Sequence, residues 1–427
     1  MEKRNKIIPD FGPLRGVRVL SLGSIVAMPH AANMMADFGA EVINIERPKV
    51  GDTYRVLAPF IEHEGKKVST SWAQDARNRL SMTLDANLNI PEVREIFLGL
   101  IKEADIFMEN MVWLDKFGIN DQLLLETNPK LVIVHVSGYG RPEFGGDPKV
   151  CDRASYDMIG QAYSSFMNLN GDTDRLPMVT KPWTNDYVSA LTAAFGALSA
   201  YISVQETGKG QVVDVAQFEA MARILSDTIV SYTEAGVLKQ RSGTNATAFQ
   251  PYGLFQSKDD RYVAIGAFGP GVYKRFVQAL GLDVEYYNFK DCASSTNAVS
   301  SEKGQDLANK TIQWCLDRTS DEIVEHLNQF KVGCARVNTA EDVVEDPHWI
   351  DRENFVEYED QTINKSIKAF GIVPKMSETP GQVWRGAPKV GQDNEAILSK
   401  LLGFSDEKIR ELADKGIIEV QRELELV

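Results

Sequence analysis

The sequence predicts an α/β protein, with a parallel sheet covered by helices in a large domain and a smaller α/β domain after it. Three observations carry this. Short apolar runs alternate with helical stretches through the first half of the chain, the pattern of βαβ units. The pattern relaxes around Thr244–Gly253, and a new strand-and-helix unit starts from Leu254. The length, 427 residues, is about three typical domain lengths, so more than one domain is expected.

The elements follow in order. Val17–Leu22 reads VRVLSL, a short run suited to a buried parallel strand. A helix from Pro29 carries AANMMADF and is expected to stop at Gly39, a residue type favoured just past helix ends. Strands are expected at Glu41–Ile45, Leu80–Leu84, Ile106–Met108 and Leu131–Val136, with a helix over Pro91–Ala104. A long helix runs from Asp186 to about Gln205 and stops at Thr207-Gly208-Lys209-Gly210. The strand Gln211–Val215 and a helix from Ala216 follow. In the second unit we expect the strand Tyr262–Gly266 and helices over Val272–Leu280, Asp306–Asp317 and Asp321–Phe330. Beyond Val337 the chain reads as loop-rich and ends in two short helices, near Asn394–Leu402 and Asp406–Lys415.

Composition narrows the function classes. The chain is 43% hydrophobic and 25% charged, which is ordinary for a globular protein. Its net charge of −14 argues against nucleic acid and anionic membrane surfaces as partners. Four scattered cysteines without a CxxC pair are expected as reduced thiols, which suits a cytoplasmic protein. The opening MEKRNKIIPDFG has charge but no apolar centre, so no signal peptide is expected. No uninterrupted run reaches about 18 apolar residues, so no membrane span is expected. The five histidines sit at no metal-binding spacing, and no metal is expected. Neither a P-loop nor the dinucleotide-binding glycine pattern is present.

In doubly wound sheets, ligands bind beyond the carboxyl ends of the strands. Three polar segments leave strand ends here: Glu46-Arg47-Pro48, Glu109-Asn110 and Ser137-Gly138-Tyr139-Gly140. Together they describe one rim of one sheet. Arg47, Arg55, Arg77 and Arg79 near it suit phosphate as fork-shaped donors, and equally suit an exposed surface. Asp186 opens the long helix within Pro182-Trp183-Thr184-Asn185-Asp186-Tyr187. The positive end of the helix dipole favours an ionised carboxylate there, and an ionised carboxylate in a partly dry site is a usable nucleophile. Aspartate is also a common helix-start residue, and position does not separate the two readings.

Several segments give the chain a family likeness. They are Leu14-Arg15-Gly16-Val17-Arg18-Val19-Leu20, Asp37-Phe38-Gly39-Ala40-Glu41-Val42-Ile43, Glu46-Arg47-Pro48, Glu109-Asn110 and Asn128-Pro129-Lys130-Leu131. Ser137-Gly138-Tyr139-Gly140, Thr207-Gly208-Lys209-Gly210 and Trp384-Arg385-Gly386-Ala387-Pro388 continue it. In this order the chain resembles the class III CoA-transferase family along nearly its whole length. Arg153-Ala154-Ser155-Tyr156-Asp157 and the Trp384 segment are most similar to the crotonobetainyl-CoA:carnitine and bile-acid branches.

The resemblance implies a large Rossmann-like domain over residues 1–235, a small domain over 250–337, and a segment 338–427 that returns to the large domain. It implies two chains interlocked as a ring-like homodimer. It places the catalytic aspartate on Asp186. It implies coenzyme A contacts at Arg47, Arg79, Leu84, Asn110 and Met111, with Val26 and Ala27 lining the thioester end. Coenzyme A enters as part of the substrate, an acyl-CoA exchanged with a free carboxylic acid; no separate cofactor is implied. The implied chemistry runs through an aspartyl anhydride and an aspartyl-CoA thioester. Carnitine or betaine-type acids are expected ahead of bile acids. A racemase of the same superfamily needs a second base, and Ser155-Tyr156-Asp157 has no histidine there. A hydrolase would share Asp186 and admit water. Ser137 and the segment Gly243-Thr244-Asn245-Ala246-Thr247 stand where formyl-CoA transferases carry other residues, which argues against oxalate and formate.

Overall fold

The structure is a computed structural model that describes residues 4–111 and 114–419. Six strands form one wholly parallel sheet: β1 Arg18–Leu22, β2 Glu41–Glu46, β3 Leu80–Thr83, β4 Ile106–Glu109, β5 Val132–Ser137 and β6 Gln211–Ala216. Their order is β3-β2-β1-β4-β5-β6. The chain winds outward from β1 to β3, then crosses back to β4. This is the doubly wound α/β arrangement the sequence predicts.

Alternation along the strands explains the two helical layers. Val19, Val42, Ile106, Val132 and Val134 face one core with α1 (Ala27–Asp37) and the long Thr184–Thr207 helix. Leu20, Ile43, Phe107 and Ile133 face the other core. There they meet Phe97 and Leu100 of the Pro91–Glu103 helix, and Ile397 and Leu398 near the C-terminus. Adjacent strand residues point to opposite faces, so apolar pairs such as Val19-Leu20 supply both cores at once.

We label the helices used below α1, α2 (Thr70–Asp75), α3 (Pro91–Glu103), α4 (Asp121–Thr127), α5 (Asp157–Tyr163), α6 (Thr184–Thr207) and α7 (Gln217–Ala222). Gly39 takes its expected place: α1 ends at Asp37, and Gly39 follows the cap with φ +93°. A side chain there would also meet the Phe11 carbonyl oxygen at 1.9 Å. Helix α6 stops at Gly208, φ +68°. It is long and apolar enough to cross a membrane, with a mean hydropathy of 1.5 over its best window. Thr192, Ser199 and Ser203 interrupt it, so it holds no unbroken apolar run of membrane-spanning length. Ala190, Ala193, Ala197 and Ala200 of α6 pack with the sheet and α1 in one core, as in a core helix.

The chain divides into two units. The first takes in residues up to Phe166, Thr180–Ser226, and the described chain from Asp351 on; the second is Met167–Val179 with Asp227–Ile350. The second unit thus starts ahead of the expected residue 250 and ends past 337. It also borrows the excursion 167–179, which nothing in the local sequence pattern marks. Within it, an antiparallel sheet holds Tyr252–Gln256, Tyr262–Gly266 and Gly333–Arg336. Helices Pro270–Ala279, Glu302–Leu316 and Ser320–Gln329 lie close to their expected places. The stretch after Val337 is more regular than expected. It contains a hairpin, Phe355–Asp360 with Lys365–Phe370, whose Tyr358 and Ile367 are buried. A buried aspartate, Asp360, sits on its inner face and breaks the two-residue apolar period.

Candidate functional site

The Asp186 site is assembled from α5, α6 and α7. Trp183 precedes α6 in the left-handed region, φ +30°, a strained backbone of the kind that collects at functional sites. Asp157, at the start of α5, accepts hydrogen bonds from the backbone N–H groups of Asn185 at 2.7 Å and Asp186 at 3.4 Å. It therefore caps α6 from outside the helix. Gln161 of α5 holds its other oxygen at 2.8 Å. Gln217 of α7 donates to Asp186 Oδ1 at 2.7 Å.

Position at the helix start led us to expect a readily ionised Asp186. The structure corrects this. Burial, and then the facing Asp157 carboxylate, push Asp186 up to about 7, and the Gln217 bond offsets only part of the rise. A proton is then shared about equally between bound and free near neutrality.

On the other side of α6 lies an aromatic and acidic cluster. Tyr187 packs edge-on against His30 of α1, with ring centroids 4.8 Å apart. Tyr54 and Tyr187 donate to Asp75 Oδ2 at 2.9 and 3.3 Å. His30 Nδ1 stands 3.5 Å from Asp75 Oδ1. Burial works to raise the Asp75 carboxyl, but His30, Tyr54 and Arg79 together hold it below its ordinary value. The partly exposed Trp183 lies edge-on to Tyr54 at 6.2 Å.

The rim is built differently from its reading in sequence. Arg47 is exposed at the end of β2, where phosphate can reach it. Arg55 is buried and paired with Glu46 by two bonds of 2.7 Å. Arg77 is buried against Asp37, 2.7 Å at its closest. Those two do not stand open for phosphate, because their forks are already filled by carboxylates and carbonyls. Arg79 is 1% exposed. It donates to the Asp75 carbonyl at 2.8 Å and lies 5.2 Å from the centre of the Trp72 ring, while its Nε and Nη1 have no hydrogen-bond partner. Leu84 is buried in the sheet core.

The turn from β1 to α1 carries Val26 and Ala27, both buried. Ile25 in that turn has φ +69°, a costly value for a β-branched residue. Asp52 holds it there, accepting from Ile25 N at 3.1 Å and Ser24 Oγ at 2.9 Å. Asn110 accepts from Ser24 N and donates to Ser24 O, both at 3.1 Å. Gly23 makes room for it, since a Cβ there would lie 2.0 Å from Asn110 Oδ1. Asn110 therefore shapes the β1–α1 turn. Met111 follows it, with its N–H donating to Glu109 Oε2 at 2.5 Å.

Asp157, Gln217, His30 and Asp75 were not singled out as site residues by the sequence. Asp157 alone had a signal, lying in one of the segments of family likeness. The others come from separate elements that only the fold brings together.

Comparison with known proteins agrees with this architecture. The profile of CoA-transferase family III matches residues 14–394. The bile acid CoA-transferase BaiK of Clostridium scindens is 37% identical over 417 residues, covering 96% of this chain and 90% of that one. The L-carnitine CoA-transferase of Proteus mirabilis is 33% identical over 422 residues, covering 97% and 98%. The crystal structure of a CAIB/BAIF family protein from Brucella suis superposes with a TM-score of 0.78 at 26% identity, covering 92% of this chain and all of that one. The chain belongs to CoA-transferase family III and is an enzyme of that class.

Proposed function

We propose that the enzyme moves coenzyme A between two carboxylic acids through covalent intermediates on Asp186. The observation that carries this is the half-buried Asp186 carboxylate in the first turn of α6, held at 2.7 Å by Gln217 and faced by the Asp157 carboxylate. Ionised Asp186 attacks the donor thioester carbonyl, forming a mixed anhydride and expelling CoA thiolate. The thiolate attacks the aspartyl carbonyl, giving an aspartyl-CoA thioester and the free donor acid. The acceptor carboxylate attacks that thioester and expels the thiolate again. The thiolate then attacks the acceptor carbonyl of the new anhydride and frees Asp186. Each step exchanges one acyl bond for another, so the thioester energy is kept. Water must stay out, because it would hydrolyse the anhydride.

In this reading coenzyme A lies along the carboxyl ends of β1, β2 and β4. Arg47 meets its phosphates, Asn110 and Met111 flank it, and the Val26-Ala27 turn lines the thioester end. Arg79 and Leu84, being buried, support the rim from inside. For the acid we favour a carnitine or betaine type. Trp183 and Tyr187 offer aromatic surface to a quaternary ammonium, and Tyr187 is bonded to the Asp75 carboxylate. A bile acid is the second reading, favoured by the 37% identity to the bile acid relative. We further propose a cytoplasmic homodimer, which light scattering at micromolar concentration tests; a monomer would overturn that part.

Intact-protein mass spectrometry tests the mechanism. The enzyme is incubated with crotonobetainyl-, γ-butyrobetainyl-, cholyl- and acetyl-CoA, with Asp186→Ala beside it. An adduct of CoA or acyl mass on the wild type alone supports the reading and identifies the donor. No adduct from any donor, or one that persists in Asp186→Ala, overturns it.

A further inference from the structure

His135 lies within β5, towards its carboxyl end, in a position that the proposed chemistry leaves unused. It is 1% exposed. In the sheet register it stands beside Glu109 of β4 and Asp214 of β6, so three ionisable side chains form a row across three strands. Its Nδ1 is hydrogen-bonded to Glu109 Oε1. Its Nε2 lies 2.9 Å from Asp121 Oδ1, on α4. A neutral imidazole donates one hydrogen and an imidazolium donates two. Carboxylates at both nitrogens favour the cation, while Arg141 Nη1, hydrogen-bonded to the same Nε2, can only donate and favours the neutral ring. Arg141, beyond β5, touches the same ring edge and shares Asp121 at 3.4 Å, and its charge opposes the cation. Asp214 faces the group from β6 and accepts from Arg141 N at 3.2 Å; burial raises it, which weakens its hold on His135.

The consequence reaches the rim through bonds already described. Glu109 uses one oxygen on His135 and the other on Met111 N. Asn110, between them, is bonded twice to Ser24 in the β1–α1 turn. Glu109 is 4% exposed, so an unpaired charge there would be costly. A neutral ring keeps its Nδ1 hydrogen on Glu109, so loss of the imidazolium removes the positive charge that balances this buried carboxylate and loosens its hold on the turn.

We propose that His135 is a positioning residue for coenzyme A: as a cation between Glu109 and Asp121 it fixes the Glu109–Met111 turn, and through Asn110 the β1–α1 turn, in the shape that receives the thioester. This rests on reading the rim as the coenzyme A site. Burial lowers the His135 imidazolium, but Asp121 and Glu109 outweigh it and carry it up to about 8. The positioning therefore holds at neutral pH and is lost as pH rises through that value.

The test is the Kd of acetyl-CoA, which has no thiol to titrate, measured by calorimetry at pH 7 and pH 9. Wild-type enzyme should bind about tenfold more weakly at pH 9, a loss worth one buried polar interaction. His135→Gln should bind at pH 7 as weakly as wild type at pH 9, with little change between the two. With whichever donor forms the Asp186 adduct, turnover at saturation should change far less than KM. Asp121→Asn keeps the Glu109 pairing and should move the loss to lower pH. If His135→Gln does not fold, Asp121→Asn decides: an unmoved pH profile overturns the inference. Unchanged Kd values in all these variants, alongside weakened binding in Asn110→Ala, also overturn it while leaving the rim reading intact. Unweakened binding in Asn110→Ala removes the rim reading, and this inference with it.

Discussion

Asp186 illustrates how far a single residue type carries. Its identity and place at a helix start are visible in the sequence, while its proton affinity is set by Asp157 and by burial. An acid raised from 3.8 to about 7 holds its proton more tightly in the folded chain than in the unfolded one. Stability is therefore undiminished below pH 4 and is lost as pH climbs to about 7. Asp186→Asn should raise the melting temperature at pH 8, by roughly 2–5 °C, and leave it nearly unchanged at pH 4. The same variant should lose about a thousandfold or more in turnover. A lower melting temperature at pH 8 would contradict the buried-acid account. In the wild type, kcat at saturating substrate should rise with pH through a midpoint near 7. Asp157→Asn keeps an acceptor for the Asn185 N–H and removes the charge. It should move that midpoint down by about one pH unit, read from the pH–rate profile.

At the scale of elements, α6 shows why composition and packing must be read together. Its alanines suggest close approach, and the structure shows the partner: α1, itself lined by Ala31, Ala32 and Met35. Ala197 is fully buried in that contact. Ala197→Leu should cost about 1–3 kcal/mol through overpacking, seen as a lower urea midpoint. Gly39 makes a similar point. Its role after α1 was legible because only a residue tolerant of positive φ ends a helix this way. The Phe11 carbonyl pressed against it was not legible, because Phe11 is distant from the helix-end pattern. Gly39→Ala should therefore cost more than the 1 kcal/mol or so typical of a helix-end glycine alone; a smaller loss would count against the close contact.

At the scale of the molecule, the C-terminal part completes the first unit. Asp393 accepts from Ser81 N at 2.8 Å, and Asn394 accepts from Thr83 N at 2.9 Å. These bonds cover the outer edge of β3, and Ile397 and Leu398 seal the core beside it. Open strand edges and bare apolar cores invite aggregation. A chain cut after Ile350 should accordingly be recovered in the insoluble fraction far more than the full chain; a soluble monomeric truncation would refute the sealing role.

The sequence by itself determined the alternation of strands and helices, the parallel sheet, the helix ends at Gly39 and Gly208, and the place of Asp186. These are local facts: side-chain period, capping and turn chemistry act over a few residues, and a strand buried on both faces reads as a mostly apolar run. Only the tertiary structure decided which charges meet. Arg55 and Arg77 read as rim donors, yet Glu46 and Asp37 fill their forks. His135 is one of five histidines at no metal-binding spacing, yet carboxylates from β4 and α4 bracket it. Asp157 and Gln217 converge on Asp186 from two other helices. Pairings of this kind span from nine to forty residues of chain, and their energies depend on burial and distance, which no local pattern records.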